Sequence, residues 1–527
     1  MFTGNRRRLW VDAVAFDGSG ILSIGADDEV RRAFPQARTI DVGNRTIVPG
    51  FIDAHNHFLA TGESLSSIDV RYPTVASCED LVRVIAKAAK TTPAGAWIHA
   101  FGFDHAKYDR TPTRWDLDGA TTQHPVLVYH VSGHHVLVNS ATLDLRGLDE
   151  TTPDPAGGQL VRDATGRLTG LCLDAAMNLV LPVVVDIGNH GPNFHTEASL
   201  EELVDAVDLA GTAFLAAGLT TVCDAQVTRR ELRAYRAAAD AGRLRVRTVC
   251  MPLSHQLEEY LSIGLAGPFG DDRLRVGAMK IYADGSLIGG TAAFEAPYGE
   301  RGELDGSLYW QPDELRELVV RAHLGGWQVG IHVQGDRAIG NALDAIETAS
   351  SAEPRDHRHR LEHAGYPTAE QIRRMARLGV ITVNQPRYLH DSGDEFLTRL
   401  GSRAHGLQPL RDELAAGVTV VLSSDSDVAS YRPLDQIASA IARQTRSGAP
   451  IGSEQGLTLD EALLAYTIDA AFALRLEERI GSIEPGKLAD VVVVDGDLQA
   501  TPAADIRSLD AWKTFLAGRL VHETDAP

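Results

Sequence analysis

The chain has 527 residues, of which 44% are hydrophobic and 23% are charged, as in ordinary globular proteins. Lys and Arg total 50 and Asp and Glu total 71, so the formal net charge is −21; this balance repels phosphate backbones, and we expect no nucleic-acid partner. The long uncharged stretch from Gly119 to Leu143 is interrupted by histidines and amides, so no membrane span is predicted. Four dispersed cysteines and no signal peptide indicate a cytoplasmic protein without a disulfide framework.

Both ends of the chain predict β-strands. Val-rich segments separated by Gly and Asp turns occur in residues 1–50 and again in residues 476–527. Neither end is long enough to bury a good core alone. We therefore expect one composite β-sandwich domain, discontinuous in sequence, with the rest of the chain inserted into it.

Between the ends, eight short apolar runs alternate with helix-like stretches. This alternation predicts a (β/α)8 TIM barrel over residues 51–70 and 196–475, within the α/β class. The predicted strands are Thr46 to Ala54, Leu219 to Asp224, Leu244 to Cys250, Leu274 to Tyr282, Gln328 to Val333, His359 to His363, Val380 to Asn384 and Val418 to Ser424.

The interval between the first two barrel strands is too long for a loop. Residues 71–195 contain mixed strand and turn patterns and a helical pattern from Cys78 to Lys90. They predict an inserted α+β domain after the first barrel strand.

Side chains that bind metals follow several of the predicted strands. His55 and His57 end the first strand, and residues two apart in a strand point to the same side, so both imidazoles can reach one ion. An HxH pattern alone is equally compatible with surface or core histidines. Barrel enzymes, however, build their sites at the C-terminal ends of the strands, where four further candidates lie: Lys280, His332, His363 and Asp425.

With these residues the sequence resembles the amidohydrolase superfamily, and within it amidohydrolase family 3, which includes N-substituted formamide deformylases. The similarity runs nearly from end to end, through VPGFIDAHNHF, PTRWDLD, SGHHVLVNS, GGQLVRDATGRLTG, MKIYADGSLIGGTAAF, IHVQGDRAI, RLEHAG, LSSDSDV and GSIEPGKLADVVVVD.

The resemblance implies a role for each site residue. His55 and His57 are implied as ligands of the more buried metal, His332 and His363 as ligands of a second metal, and Asp425 as a ligand and catalytic proton shuttle. His134 matches the histidine of the family's SGH segment and is a candidate substrate contact from the insert.

Lys280 matches a lysine that many relatives carboxylate on its amine to bridge two metals. A carbamate is an anionic oxygen ligand, whereas an ammonium is repelled by divalent cations. The alternative is an unmodified lysine paired with Asp284 at the barrel rim. We expect one or two divalent ions per chain, with zinc as the metal because imidazole and carboxylate ligands suit it.

The predicted function is metal-dependent hydrolysis of a non-peptide C–N bond in an amide, N-acyl or N-formyl group. The predicted partner is a small-molecule substrate, with no membrane partner and with a homo-oligomer as the candidate assembly. Two alternatives stay open at this point: an ester or cyclic-amide hydrolase using the same site, and a non-catalytic regulatory relative. Intact candidate ligands at all six positions favour the enzyme.

Overall fold

The computed structural model describes residues 1–155 and 158–524. Residues 156–157 of the predicted insert and 525–527 of the predicted C-terminal segment lie outside the described residues. From the N-terminus the first elements are β1 (Ala13–Asp17), β2 (Gly20–Gly25), α1 (Asp27–Ala33), β3 (Thr46–Pro49), β4 (Phe51–Asn56) and α2 (Phe58–Ser66).

The next elements form the region predicted as an insert. They are β5 (Ile68–Asp69), α3 (Cys78–Ala89), β6 (Ile98–Phe103), α4 (Arg114–Ala120), β7 (Val126–His130), β8 (His135–Val138), α5 (Ser140–Arg146), β9 (Gly158–Arg162), β10 (Leu168–Asp174) and α6 (Met177–Val180). The strands make one six-stranded sheet of order β5-β6-β7-β8-β10-β9. The predicted helix from Cys78 is confirmed as α3.

Strands and helices then alternate through most of the chain. The strands are β11 (Leu219–Val227), β12 (Arg247–Pro252), β13 (Phe269–Gly270), β14 (Leu274–Val276), β15 (Met279–Tyr282), β16 (Val329–Val333), β17 (Arg360–His363), β18 (Ile381–Asn384) and β19 (Thr419–Leu422). The helices are α7 (Leu200–Ala216), α8 (Arg229–Asp240), α9 (Leu257–Ser262), α10 (Pro312–Leu324), α11 (Asp336–Ala352), α12 (Ala369–Leu378), α13 (Arg387–Asp391), α14 (Gly393–Leu400), α15 (Leu410–Ala416), α16 (Pro433–Ala442), α17 (Leu459–Ala465) and α18 (Ile468–Ala473).

The chain ends with three strands that pair with the N-terminal part. These are β20 (Val491–Val494), β21 (Ala511–Leu516) and β22 (Arg519–Glu523), and the sheet order is β22-β21-β20-β3. Within it, Val48 lies opposite Val492 in an antiparallel register. Short 3-10 helices lie at Ser254–Gln256, Gly401–Gly406, Ser453–Gln455 and Ala503–Ser508.

The predicted strand from Thr46 to Ala54 is in fact two strands. Its first half, β3, belongs to the terminal sheet, and its second half, β4, pairs in parallel with β11. The change of sheet occurs at Gly50, whose N–H donates to Asp490 O at 2.8 Å. A Cβ at Gly50 would lie 2.3 Å from Thr220 Oγ1, so only glycine permits this close approach.

Two sheets hold the strands predicted for the barrel. Their orders are β13-β14-β12-β11-β4 and β15-β16-β17-β18-β19, and every pair except β13–β14 is parallel. The predicted strand from Leu274 to Tyr282 splits into β14 and β15, one in each sheet. The parallel strands β4, β11, β12 and β15 to β18 are buried along their whole length, which accounts for their continuous apolar runs.

Local sequence signals account for the helices that flank these strands. Helix α10 begins with Pro312 at its first position and has a capping box between Gln311 and Glu314, and Thr368 and Gln371 cap α12 in the same way. The bounds predicted for Leu200–Ala216 and Pro312–Leu324 are confirmed. In the described parts of the chain, no helix has both the length and the apolar character that a membrane crossing requires.

Candidate active site

The carboxyl ends of the parallel strands bring three predicted site residues together. His55, His363 and Asp425 are buried, and each has a donor atom within 4.8 Å of the others. Asp425 Oδ1 lies 3.3 Å from His55 Nε2 and 3.2 Å from His57 Nε2. Four side chains from three distant parts of the sequence therefore lie close together.

Backbone and side-chain hydrogen bonds fix the relative position of β4 and the segment after β19. Asp425 N–H donates to His55 O at 2.9 Å, and Asp53 Oδ1 accepts from Ser424 N–H at 3.0 Å. His363 and Asp425 have positive φ angles of 72° and 53°. Such left-handed backbone in non-glycine residues clusters at functional sites, where the surrounding contacts hold it.

A buried ion pair that the sequence analysis missed orients His55. Glu362 Oε2 lies 2.5 Å from His55 Nδ1, and Arg360 donates to both oxygens of the same carboxylate at 2.7 and 2.8 Å. Although burial acts to raise it, the pKa of Glu362 is lowered by Arg360 and His55. The negative carboxylate holds the proton on Nδ1 and leaves Nε2 to face Asp425. The sequence does contain a signal for this ion pair: in HRLEH, Arg360 and Glu362 carry opposite charges at alternate positions of a strand that is predicted to be buried.

His363 and His332 extend the cluster. The rings of the two histidines are 4.5 Å apart between centroids. Gln385 Oε1 lies 2.7 Å from His363 Nδ1, and Gly285 O lies 3.1 Å from His332 Nε2. Burial lowers the pKa of His363 to about 3 and that of His332 well below its ordinary value, which favours the neutral form that binds metals.

Lys280 is completely buried beneath these histidines. Its Nζ lies 3.5 Å from His55 Nε2 and 4.6 Å from the centre of the Tyr282 ring. Burial lowers its pKa to about 8. No Lys280–Asp284 ion pair forms within the described ranges, because Asp284 accepts hydrogen bonds from backbone N–H groups instead, those of Ala293, Gln334 and Gly335.

The insert contributes His134 to the same cavity. A pocket of about 130 Å³ contains His134 together with His57, His332, His363 and Asp425. His134 Nδ1 lies 2.8 Å from Asp174 Oδ1, and its ring is 5.8 Å from that of His332. The rest of the lining combines apolar and aromatic residues, among them Ala60, Phe101, Tyr129, Pro192 and Phe194, with polar side chains that include Glu63 and Asp427.

Tyr388 is a second residue that the sequence analysis missed. Its hydroxyl donates to Asp425 Oδ2. Asp425 Oδ1 has no hydrogen-bond partner among the described residues, although it is buried. One carboxylate oxygen is thus anchored and the other faces the histidines.

Known proteins are similar to this chain over nearly its whole length. Residues 38–522 match the model of the amidohydrolase family. The chain belongs to the amidohydrolase family. An N-substituted formamide deformylase of Arthrobacter pascens is 34% identical, with 99% of this chain and 96% of that protein covered. A solved metal-dependent hydrolase from Pyrococcus horikoshii is 24% identical, covers 94% of this chain and 95% of its own, and has a TM-score of 0.75. A solved metal-dependent hydrolase from Pyrococcus furiosus is 25% identical, covers 93% of this chain and 97% of its own, and has a TM-score of 0.72.

The predicted resemblance and the predicted enzyme class are both confirmed by these findings. This amidohydrolase is a metal-dependent hydrolase of non-peptide carbon–nitrogen bonds. Its substrate is a small molecule.

Proposed function

We propose that this amidohydrolase cleaves the C–N bond of N-substituted formamides or closely related N-acyl amines, releasing a small carboxylate and an amine. The observation that carries the proposal is Asp425 Oδ1, which has no hydrogen-bond partner among the described residues, lies near His55 and His57, and belongs to a residue that lines the pocket. The formamide deformylase similar over the whole chain supports the choice of substrate class.

We propose His55, His57, Lys280, His332, His363 and Asp425 as the metal ligands. The residues fit a divalent ion, and zinc in particular, because imidazole nitrogens and a carboxylate oxygen are its usual ligands. Ligand atoms bound at 2.0–2.1 Å in a tetrahedral site are about 3.4 Å apart, close to the separations between Asp425 Oδ1 and the two Nε2 atoms. The buried Nδ1 of His57, which also lacks a hydrogen bond within the described residues, is a further free donor or acceptor.

We propose that Lys280 carries a carbamate. The neutral amine attacks carbon dioxide, a C–N bond forms, and one proton is released, so the side chain becomes an anionic oxygen ligand. The absence of any carboxylate within 4.0 Å of Nζ in the described residues supports this, since a buried ammonium needs a counter-ion. With the carbamate, two metals are accommodated; without it, one.

We propose that the two parallel sheets close into one (β/α)8 barrel over residues 51–70 and 196–475. A parallel bridge between Leu253 and Lys280 joins the sheets on one side, and the Asp425–His55 backbone hydrogen bond joins the segment after β19 to β4 on the other. Residues 1–50 and 476–527 then form the composite β-sandwich domain, and residues 71–195 the inserted α+β domain.

Each side chain has a distinct task in the proposed hydrolysis. When bound, the metal activates a water molecule and polarises the substrate carbonyl. Asp425 Oδ1 accepts the water proton and returns it to the leaving nitrogen, while Tyr388 holds Oδ2 and so fixes the carboxylate. His134, held at Nδ1 by Asp174, presents Nε2 to the substrate amide.

The pocket favours a compact apolar substituent on the amide nitrogen. Its volume of about 130 Å³ is well below the several hundred Å³ typical of sites for drug-sized ligands. Phe101, Tyr129 and Phe194 give it an apolar wall. A single small hydrocarbon group therefore fits better than an extended or negatively charged chain, because Glu63 and Asp427 also line the pocket.

The test is a substrate series. Zinc-loaded protein is assayed for amine and formate release from N-alkylformamides of increasing chain length, with the matching formate esters and a cyclic amide as comparison substrates. We expect kcat/KM to rise with apolar chain length and then to fall by at least about tenfold once the pocket is full. Equal or faster turnover of the esters, or of the cyclic amide, would assign the site to the alternative reaction. No turnover of any substrate by metal-loaded protein would favour the regulatory alternative.

A further inference from the structure

A second group of histidines lies in the inserted region, away from the candidate active site. His105, His130 and His135 each have a ring nitrogen within 4.8 Å of the others, and the last two are buried. His105 follows β6, His130 ends β7 and His135 begins β8. The three rings have centroid separations of 4.9 to 6.3 Å.

Four of the six ring nitrogens of these histidines are buried without a hydrogen bond in the described part of the chain. His105 Nδ1, His130 Nε2 and both nitrogens of His135 are buried and have no partner within the described residues. Buried polar atoms in proteins are nearly always hydrogen-bonded, so four orphan atoms in one cluster require an explanation. His130 Nδ1 accepts from Ser132 N–H at 3.1 Å and lies 2.8 Å from the Ser132 hydroxyl, which leaves Nε2 as the nitrogen of this ring without a partner in the described residues.

Another histidine cluster in the same chain shows the structural alternative. His323 Nδ1 lies 2.9 Å from His359 Nε2, and His323 Nε2 lies 2.7 Å from Glu353 O. Nδ1 of His359 accepts from Val329 N–H at 3.1 Å. Those imidazoles form hydrogen bonds with each other and with backbone groups. The cluster in the insert keeps its four unpartnered nitrogens among the described residues, although it is as tightly grouped.

We propose that His105, His130 and His135 form a second metal site, for a divalent transition ion of the zinc class. Three imidazoles suit such an ion, and a water or a carboxylate completes the coordination. Asp104 is the nearest carboxylate: its Oδ1 lies 3.8 Å from His130 Nε2. The site is separate from the ligands proposed in the barrel.

The neighbouring cations are already paired. Lys107 Nζ lies 2.9 Å from Asp104 Oδ2, and Arg399 donates to the backbone carbonyls of Leu287 and Ile288 at 3.2 and 2.8 Å. Neither cation makes a hydrogen bond to the three imidazoles. The unpartnered ring nitrogens of the cluster are therefore not occupied by these cations.

The site is placed to organise the part of the insert that meets substrate. His134 and His135 are adjacent, and successive side chains at the start of a strand point to opposite faces. His134 faces the active-site pocket, and His135 belongs to the histidine cluster on the other side. An ion that joins the loop after β6 to the turn between β7 and β8 would fix the backbone that carries His134.

The experiment compares zinc content between matched variants of the full chain. Protein is stripped with chelator, reloaded with Zn²⁺ alone, desalted and analysed for bound metal. H130Q/H135Q is expected to hold about one ion fewer than the parent protein, and the buried but hydrogen-bonded control H323Q the same number. The variant H55Q/H57Q lacks the proposed hydrolytic centre. We expect the quadruple variant H55Q/H57Q/H130Q/H135Q to hold about one zinc ion fewer than H55Q/H57Q.

Equal zinc in the parent and in H130Q/H135Q would overturn the second site, whatever happens to hydrolysis. Circular dichroism checks that each variant is folded. Should H130Q/H135Q fail to fold, H105Q replaces it, because His105 is only half-buried. We then expect at least about a tenfold weaker Zn²⁺ affinity and an altered visible spectrum of the Co²⁺ form; an unchanged affinity and spectrum would contradict the assignment.

Discussion

At the scale of single residues, the site depends on the side chains that hold the proposed ligands. Glu362 orients His55, Gln385 lies against His363 Nδ1, and Tyr388 anchors Asp425. The candidate ligands were predictable because strand ends and histidine spacing mark them. Their partners were not, since which side chain faces Asp425 or His363 depends on how neighbouring loops and strands pack.

Asp425 gives the first prediction at this scale. D425N keeps the size of the side chain but cannot accept the water proton, so turnover should fall by at least about a hundredfold while most of the metal is retained. Steady-state kinetics and elemental analysis on the same sample measure the two effects. The exposed helix residue Asp344 supplies the control, D344N, which should leave both unchanged. Near-normal turnover of D425N would move the proton transfer to another group.

Lys280 gives the second prediction at the scale of single residues. K280A removes the proposed carbamate, so both metal content and activity should fall, and small carboxylic acids should restore part of each by supplying the missing oxygens. Bicarbonate should also speed the reconstitution of metal-free parent protein. Full metal binding by K280A, together with no bicarbonate effect on the parent, would leave the histidines and Asp425 to hold a single metal.

At the scale of secondary-structure elements, hydrophobic periodicity predicted well which segments form helices and strands, but it predicted less well which strands pair with one another. The helices α7 and α10 have the predicted bounds, and the parallel strands β4, β11, β12 and β14 to β19 overlap the predicted apolar runs. The errors are strands that run through a glycine: at Gly50 and again near Gly277 the chain passes from one sheet to another. Hydrophobicity is continuous across both points, and only the packing around the glycines reveals the change.

A buried carboxyl between a helix and a strand predicts a pH effect on stability. Glu413 of α15 accepts from Thr382 Oγ1 of β18 at 2.6 Å, and burial raises its pKa from 4.5 to about 7. The folded state thus binds this proton more tightly than the unfolded state does, so the contribution to stability is complete below about pH 4.5 and is lost as pH rises through 7.

The variant E413Q tests that effect. Gln is uncharged throughout, so E413Q should unfold much like the parent at pH 5 and should be more stable than the parent at pH 8, by about 1 to 3 kcal/mol. Thermal unfolding of both proteins across this range measures the difference. A constant difference between them from pH 5 to pH 8 would mean that Glu413 does not titrate there.

At the scale of the whole molecule, long-range connections build the site. Strand β3 near the N-terminus shares one sheet with the last three strands, and the sheet change at Gly50 leads directly into β4, which carries His55 next to its last residue. The inserted region supplies His134 and part of the apolar wall over the strand ends. The resemblance implied that His134 of the predicted insert contacts substrate, but the other residues of this region that line the cavity were not predicted, because no local pattern encodes how the two regions pack.

The most direct test of the central claim is whether amide hydrolysis follows metal occupancy. Protein depleted by chelator should release no formate from an N-alkylformamide, and activity should return in proportion to added Zn²⁺ in the parent but not in H55Q/H57Q. Elemental analysis of the same samples reports occupancy. Undiminished hydrolysis by metal-free protein, or full activity of H55Q/H57Q, would contradict the account.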